Sequence, residues 1–312
     1  MSVLSIVLPV FLVIFLGGIL TRFRFLHGEL IGELNRLTYF VGLPAYLFTS
    51  IAEASYGGGR AMTLFGVMCA VTFLTLLVGI IVARVRRISS ESVGSFLHAA
   101  IRGNLAYIGL PVVSLAIAAH ASTAAAPGLR QTALLAMAPL VVVTNTLGVL
   151  LLLIGHQKPG PEIVRKITWQ IVTNPLLLAS LAGVLFATCQ IHVPTWLMES
   201  VAIVGQMALP LALLCIGGTL VVMPIRGKRT NATIASVLKV AVTPALGWVV
   251  ARWVGLSLDE TRVVLLFLAC PTAAASFTLA GKLGGDEALA ATSVVVSTGL
   301  SIASLTAVLL LV

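Results

Sequence analysis

The chain has 312 residues, of which 59% are hydrophobic and only 9% charged, against roughly 25% charged in ordinary globular domains. So little polar sequence cannot clothe a water-soluble core of this size, which leaves an integral membrane protein with the lipid bilayer as its surroundings. The formal net charge is +9, but no long basic tract supports a nucleic-acid partner.

The apolar runs are long and unbroken rather than alternating, which predicts helices and not a barrel. Ten spans are expected in chain order, at about 3–21, 30–52, 61–83, 92–119, 130–155, 168–189, 195–222, 232–254, 260–281 and 287–311. Each is long enough for a hydrocarbon layer of ~30 Å. The first has no basic residue before it and is followed by Arg22 and Arg24. That order is the reverse of a signal peptide's, so it is read as a retained span. The polar stretch HQKPGPE at 156–162 predicts a turn between spans 5 and 6. Cys69, Cys189, Cys215 and Cys270 stand isolated in apolar runs and are expected as buried small hydrophobes.

The charges orient the spans. After spans 1, 3, 5, 7 and 9 come Arg22, Arg24 and Arg36; Arg84, Arg86 and Arg87; Lys158, Arg165 and Lys166; Arg226, Lys228 and Arg229; and Lys282. The other side has Arg60, Arg130, Arg252 and Arg262. The positive-inside rule then puts the basic loops in the cytoplasm and both termini outside, in a plasma (inner) membrane.

The prolines suggest a repeat. Pro9 and Pro44, in spans 1 and 2, are separated by 35 residues, as are Pro175 and Pro210 in spans 6 and 7. Pro9 and Pro175 each have a glycine eight residues on, Gly17 and Gly183, and VGLPAYLFTS and MALPLALLCI share a Leu-Pro-x-x-Leu core. Residues 1–156 and 163–312 are therefore expected as two five-helix repeats. Because five is odd, the second is inverted, a signature of secondary transporters. The expected fold class is an all-α membrane protein in which spans 4 and 9 are broken at corresponding points.

Those points are Arg102-Gly103-Asn104, with Pro111 further on, and Cys270-Pro271-Thr272-Ala273. Proline removes a backbone donor and glycine loosens the helix. The N-terminus of a half-helix then offers free N–H groups and a positive dipole end, a seat for an anion. Pro44, Pro139, Pro210 and Pro244 are equally readable as simple kinks.

GNLAYIGLP in span 4, NPLLLASLAGVL in span 6, MALPLALLCIGGTL in span 7 and CPTAAASFTLAGKLGGD out of span 9 resemble the auxin efflux carrier family, which includes bacterial permeases for malonate and malate. The likeness covers nearly the whole chain. It implies a scaffold of spans 1, 2, 6 and 7 that often forms a homodimer, and a transport domain of spans 3–5 and 8–10 in which spans 4 and 9 cross. In the plant carriers an asparagine just after the span 4 proline helps bind the substrate carboxylate. Here that asparagine is Asn104 and Gly103 replaces the proline, while Pro271 is the span 9 crossover proline. Asn145 falls where the plant carriers have a pocket tyrosine, and Lys239 matches a basic position before Pro244. These departures point away from indole substrates, toward a smaller and more polar acid.

Arg102 lies about ten residues into span 4, where insertion costs on the order of 2.5–3.5 kcal/mol. The ten acidic residues all fall in loops or near span ends. That leaves backbone carbonyls, water or an anionic substrate to offset the charge, and a guanidinium suits bidentate carboxylate recognition. Asn104 and Thr272 are candidate substrate ligands or helix-to-helix hydrogen bonds. His98, one turn before Arg102, is a candidate proton relay or an interior histidine. Lys239 either snorkels, makes a structural hydrogen bond or couples charge. Tyr107, Asn174 and Ser276 are read as packing residues.

The candidate substrate set is Arg102, Gly103, Asn104, Asn145, Pro271 and Thr272, supported by His98 and Lys239, with no metal and no cofactor expected. The function expected is secondary transport of a small organic anion, a mono- or dicarboxylate, by alternating access. Alternatives are a cation or proton antiporter, which normally relies on buried carboxylates, and a membrane sensor that binds a ligand without moving it. No GxSxG or HExxH motif supports an enzyme.

Overall fold

The computed structural model describes residues 4–52, 59–121, 125–153, 165, 168–169, 171–223 and 229–312. The HQKPGPE turn and Lys158, Lys166, Arg226 and Lys228 of the charge pattern lie outside the described residues. Apart from one isolated bridge, the described regular structure is helical. Its helices are α1 (Leu4–Arg22), α2 (Gly28–Leu37), α3 (Leu43–Ala52), α4 (Gly59–Val85), α5 (Ser90–Ile101), α6 (Leu110–His120) and α7 (Ala126–Leu153). They continue as α8 (Pro175–Thr188), α9 (Thr195–Gln206), α10 (Ala208–Val222), α11 (Arg229–Val237), α12 (Thr243–Val254), α13 (Leu258–Leu268), α14 (Ala275–Leu283) and α15 (Glu287–Leu311). Among the described residues six runs of helix are long and apolar enough to cross a membrane: Ser5–Arg22, Arg60–Val85, Ala126–Leu153, Thr195–Val222, Arg229–Val254 and Glu287–Leu311. Leu105–His120 and Pro175–Thr188 are shorter apolar helices. The chain is thus a multi-pass helical membrane protein.

Three prolines have a shared local consequence. Single π-helical turns at Thr38–Gly42, Leu105–Gly109 and Leu238–Val242 each end two residues before a proline, at Pro44, Pro111 and Pro244. A proline ring collides with the carbonyl four residues back and offers that carbonyl no N–H. Widening the helix by one residue relieves the collision. The carbonyl of Val240, four residues before Pro244, instead accepts from the Ser304 hydroxyl. Pro44 and Pro244 are therefore more than kinks, whereas Pro139 sits inside α7. Span 6, expected to run unbroken from 168, is interrupted at Thr173. There Asn174 caps a new helix, its side chain accepting from Leu176 N (3.0 Å) and Leu177 N (3.1 Å). Of the cysteines, Cys215 and Cys270 are buried as expected, but Cys189 is exposed at the C-cap of α8.

The chain divides into two compact units. One holds Met1–Phe65, Ala106–Val142 and Thr168–Val222, and the other Gly66–Leu105, Val143–Ile167 and Met223–Val312. In the first, α1 packs on α10, and α3 on α8 and α9. Glycines permit the closest of these approaches: a Cβ at Gly17 would overlap the Leu214 backbone, and one at Gly217 the Ile14 carbonyl. A Cβ at Gly183 would stand 2.9 Å from the Ile51 Cβ. Helices in lipid gain little from burying apolar surface, so such backbone contact through small residues carries their association.

In the second unit α15 packs against α11, α13, α14 and α5, while α12 packs on α13. Its core is rich in small residues, with Ala99, Ala100, Ala232 and Ala235 around Phe96, Leu97 and Leu238. α15 also threads a line of buried hydroxyls through this unit, at Ser293, Ser297 and Ser301.

Gly217→Ala should lower the stability of the detergent-purified protein by about 1–3 kcal/mol, the usual cost of overpacking. Gly66, which faces nothing within 4 Å, should tolerate alanine with no loss. Equal melting temperatures for Gly217→Ala and wild type would contradict the close α1–α10 contact.

Candidate functional site

The two predicted breaks lie in the same unit, and they meet. α5 stops at Ile101, and Arg102 turns the chain extended (φ −85°, ψ 98°). α13 stops at Leu268 and α14 starts at Ala275. Between them Gly103 and Thr272 pair as an antiparallel bridge. Asn104 N–H donates to the Pro271 carbonyl at 2.7 Å, and Ala273 N–H donates to the Arg102 carbonyl at 3.0 Å. A helix broken inside an apolar medium must find partners for its freed backbone groups. Here each break supplies the other's.

Side chains complete the exchange. Thr272 Oγ1 donates to the Ala99 carbonyl in the last turn of α5 (2.8 Å), and Thr272 N–H donates to Ser297 Oγ (3.0 Å). Lys239 Nζ donates to the Leu268 carbonyl at the end of α13 (2.6 Å). The ammonium thus sits at the negative end of that half-helix dipole. Lys239 is 2% exposed and does not snorkel. It also explains Gly103, where a Cβ would come within 3.1 Å of the Lys239 Cε and 3.3 Å of its Nζ. Arg102 likewise caps the C-terminal end of α5, and its Nε donates to Asn145 Oδ1 at 2.9 Å.

The eight residues singled out from the sequence therefore fall in one unit around one crossover, in different positions. Thr272 is fully buried with both donors committed, which makes it a staple of the crossover. Pro271 contributes its carbonyl to the bridge. Asn104 is 7% exposed, and its side-chain amide makes no hydrogen bond among the described residues. His98 is fully buried, and neither ring nitrogen has a partner among the described residues. Its Nε2 lies where a Cβ on Gly148 would come within 2.6 Å. Of the packing residues, Tyr107 donates to the Asn35 carbonyl (3.2 Å), Asn174 is the helix cap described above, and Ser276 is buried with no partner for its hydroxyl among the described residues.

Ser297 was missed in the sequence. The signal is there, since Ser293, Ser297 and Ser301 recur every four residues in an apolar helix and so share one face. Chemically, the arrangement offers donors of the kind an anion takes. Two cations flank the crossover, Asn104 has an amide uncommitted among the described residues, and α14, with Ala274 as its N-cap, has no side chain capping its positive end there.

Thr272→Val removes the bond to the Ala99 carbonyl and should cost about 1–2 kcal/mol of stability. Asn104→Ala removes no internal bond and should melt with wild type. Thermal unfolding in detergent distinguishes the two, and a large loss in Asn104→Ala would give its amide a structural role.

Comparison with known proteins gives the crossover its context. The profile of a family described as "Membrane transport protein" matches residues 141–309. A protein of Rhizobium meliloti (strain 1021) named "Putative malonate transporter" is 27% identical over 325 residues, covering 100% of this chain and 96% of that protein. A protein of Methanothermobacter thermautotrophicus (strain Delta H) named "Uncharacterized transporter" is 27% identical over 301 residues, covering 96% of this chain and 95% of that one. With more than half of its length inside the family match, the chain belongs to the membrane transport protein family, that of the auxin efflux carriers, and is a transporter rather than an enzyme.

Proposed function

We propose that the protein is a secondary transporter for a small organic anion, a mono- or dicarboxylate of which malonate is the first to try, and that it works by alternating access. The observation that carries this reading is the crossover itself, with a buried, uncommitted Asn104 amide beside two cations. The carboxylate would be held by Asn104, by the guanidinium of Arg102 in concert with Asn145, and by the positive end of α14. Lys239, Gly103, Pro271 and Thr272 would hold the crossover in shape. A cation would meet Lys239 and Arg102 at the same place, which disfavours a cation antiporter there. The name of the Rhizobium relative supports malonate as a probe.

The ten-span reading, with two inverted five-helix repeats and both termini outside the plasma membrane, belongs to the same proposal. The packing of α1 on α10 and of α3 on α8 supports it. Gly17 and Gly183, equivalent in the repeat, each bring the first helix of one repeat against a later helix of the other. Spans 1, 2, 6 and 7 would form a scaffold, able to dimerise, and spans 3–5 and 8–10 the moving domain. The grouping of α1–α3 with α8–α10 in one compact unit agrees with this division, but the same unit also takes in Ala106–Val142 of spans 4 and 5, which the division assigns to the moving domain.

The test is uptake of radiolabelled malonate by liposomes containing the purified protein, with malonate-induced thermal stabilisation measured in parallel. Arg102→Ala and Asn104→Ala should each weaken malonate binding by roughly tenfold or more, as expected for a lost charge-assisted hydrogen bond of about 1.5–3 kcal/mol. Wild-type uptake in both variants would place the site elsewhere.

A further inference from the structure

We propose that Tyr46 and Tyr107 form a clasp that fastens the second half of span 4 to span 2 in the conformation seen here, and that the clasp opens in every transport cycle. This rests on the alternating-access reading above, which sets span 2 in the scaffold and span 4 in the moving domain. Tyr107 lies in the π turn Leu105–Gly109, and its hydroxyl donates to the Asn35 carbonyl of α2 at 3.2 Å. Further along the same span, Ser114 of α6 meets the Tyr46 hydroxyl of α3 at 3.4 Å. Tyr107 and Ser114 are seven positions apart, about two helical turns, which brings them to nearly the same side of their helix. The two contacts are therefore rungs between one pair of spans. Both lie within the compact unit that joins Ala106–Val142 to α1–α3.

Span 2 is held to its other neighbours differently. A Cβ at Gly205 would come within 2.8 Å of the Tyr46 backbone nitrogen, and one at Gly42 within 3.1 Å of the Ala208 Cβ. Backbone contact of this closeness fixes span 2 against α9 and α10. Toward span 4 the same Tyr46 extends a long side chain that ends in one hydroxyl contact. The lengths differ as well. Hydrogen bonds at the crossover measure 2.6–3.0 Å. The two phenol contacts exceed the roughly 2.7–2.8 Å usual between hydroxyl donors and oxygen acceptors. Long contacts of this kind are weak, which suits a joint that parts and re-forms.

Their direction gives the clasp its role. α6 also packs on α1, but apolar packing is non-directional, and lipid replaces it at little cost. A hydroxyl bond is met at one register only, and an unmet hydroxyl in apolar surroundings is penalised. The two phenols thus favour the docked position over those on either side of it. Tyr107 is three residues beyond Asn104, so the proposed anion ligand and the first rung share one short segment. The segment that would carry the cargo is the one the clasp restrains.

The experiment joins the two spans and asks whether transport survives. Tyr46→Cys/Ser114→Cys protein in liposomes is bridged with a short bis-methanethiosulfonate, and the extent of bridging is read by mass spectrometry. Malonate-for-malonate exchange is measured before bridging, after it and after reduction, with both single-cysteine variants and wild type treated alike. Bridging should nearly abolish exchange in the double variant alone, and reduction should restore it. Exchange at the unbridged rate in fully bridged protein overturns the proposal. Where the double-cysteine variant does not fold, Tyr46→Phe/Tyr107→Phe carries the test, because each ring stays and only the hydroxyl is lost. A bond present in the docked position and absent at the crossing slows the crossing, so exchange at saturating malonate should rise several-fold. Unchanged or slower exchange makes the phenols fixed structure and overturns the proposal, whatever the melting temperature. An absence of malonate exchange in wild type removes the carboxylate reading and the clasp's role with it, a result separable from exchange that survives the bridge.

Discussion

The structure depends on one reciprocal exchange of backbone hydrogen bonds, Asn104 N–H to Pro271 O and Ala273 N–H to Arg102 O. A broken helix exposes donors and acceptors that an apolar medium cannot satisfy, and two unrelated breaks would double that cost. Bringing the breaks together turns each into the other's solution. The rest of the unit serves that meeting. Gly103 leaves room for Lys239, Thr272 reaches back to the Ala99 carbonyl, and Ser297 accepts the Thr272 N–H.

The same economy of polar groups shapes the helices further out. Each π turn precedes a proline and spares the chain a collision while keeping the helix continuous. Freed carbonyls find hydroxyls, as Val240 finds Ser304. α15 supplies two such hydroxyls, Ser304 to the Val240 carbonyl and Ser297 to the Thr272 N–H, so an apolar helix acts as a polar fastening of the crossover unit. In the other unit close packing takes over. Glycines bring α1 to α10 and α8 to α3 at backbone distance, where dispersion and backbone contact replace the hydrophobic drive that lipid removes.

Charge follows from the helix ends. Lys239 stands where α13 terminates and meets its negative dipole end. Arg102 is the C-cap residue of α5, and its guanidinium Nε donates to Asn145 Oδ1. The positive end of α14, which no side chain caps among the described residues, faces the opposite demand. An anion would answer it, and this links the electrostatics of the crossover to the class of cargo proposed.

Much of this was legible in the letters. Hydropathy marked the helical stretches. The pair of breaks at Arg102-Gly103-Asn104 and Pro271-Thr272 stood out because glycine, proline and a cation are costly there and so need a reason. The motifs around them carried the family. These are local signals, set by composition and backbone chemistry at a few adjacent positions. Which partner each group takes is a different matter. Thr272, read as a ligand or a helix-to-helix bond, has its donors committed to residues 173 and 25 positions away. Lys239, read as snorkelling, making a structural hydrogen bond or coupling charge, makes the hydrogen bond, to the end of a half-helix 29 positions on. His98 and Ser95 find no side-chain bond among the described residues, with α7 and the α14–α15 loop packed over them. Local chemistry in the letters set where the chain breaks and what charges lie beside the breaks. Which donors are spent on the fold and which stay uncommitted followed from folding, because a hydrogen bond depends on the distance and direction of a partner brought in from far along the chain.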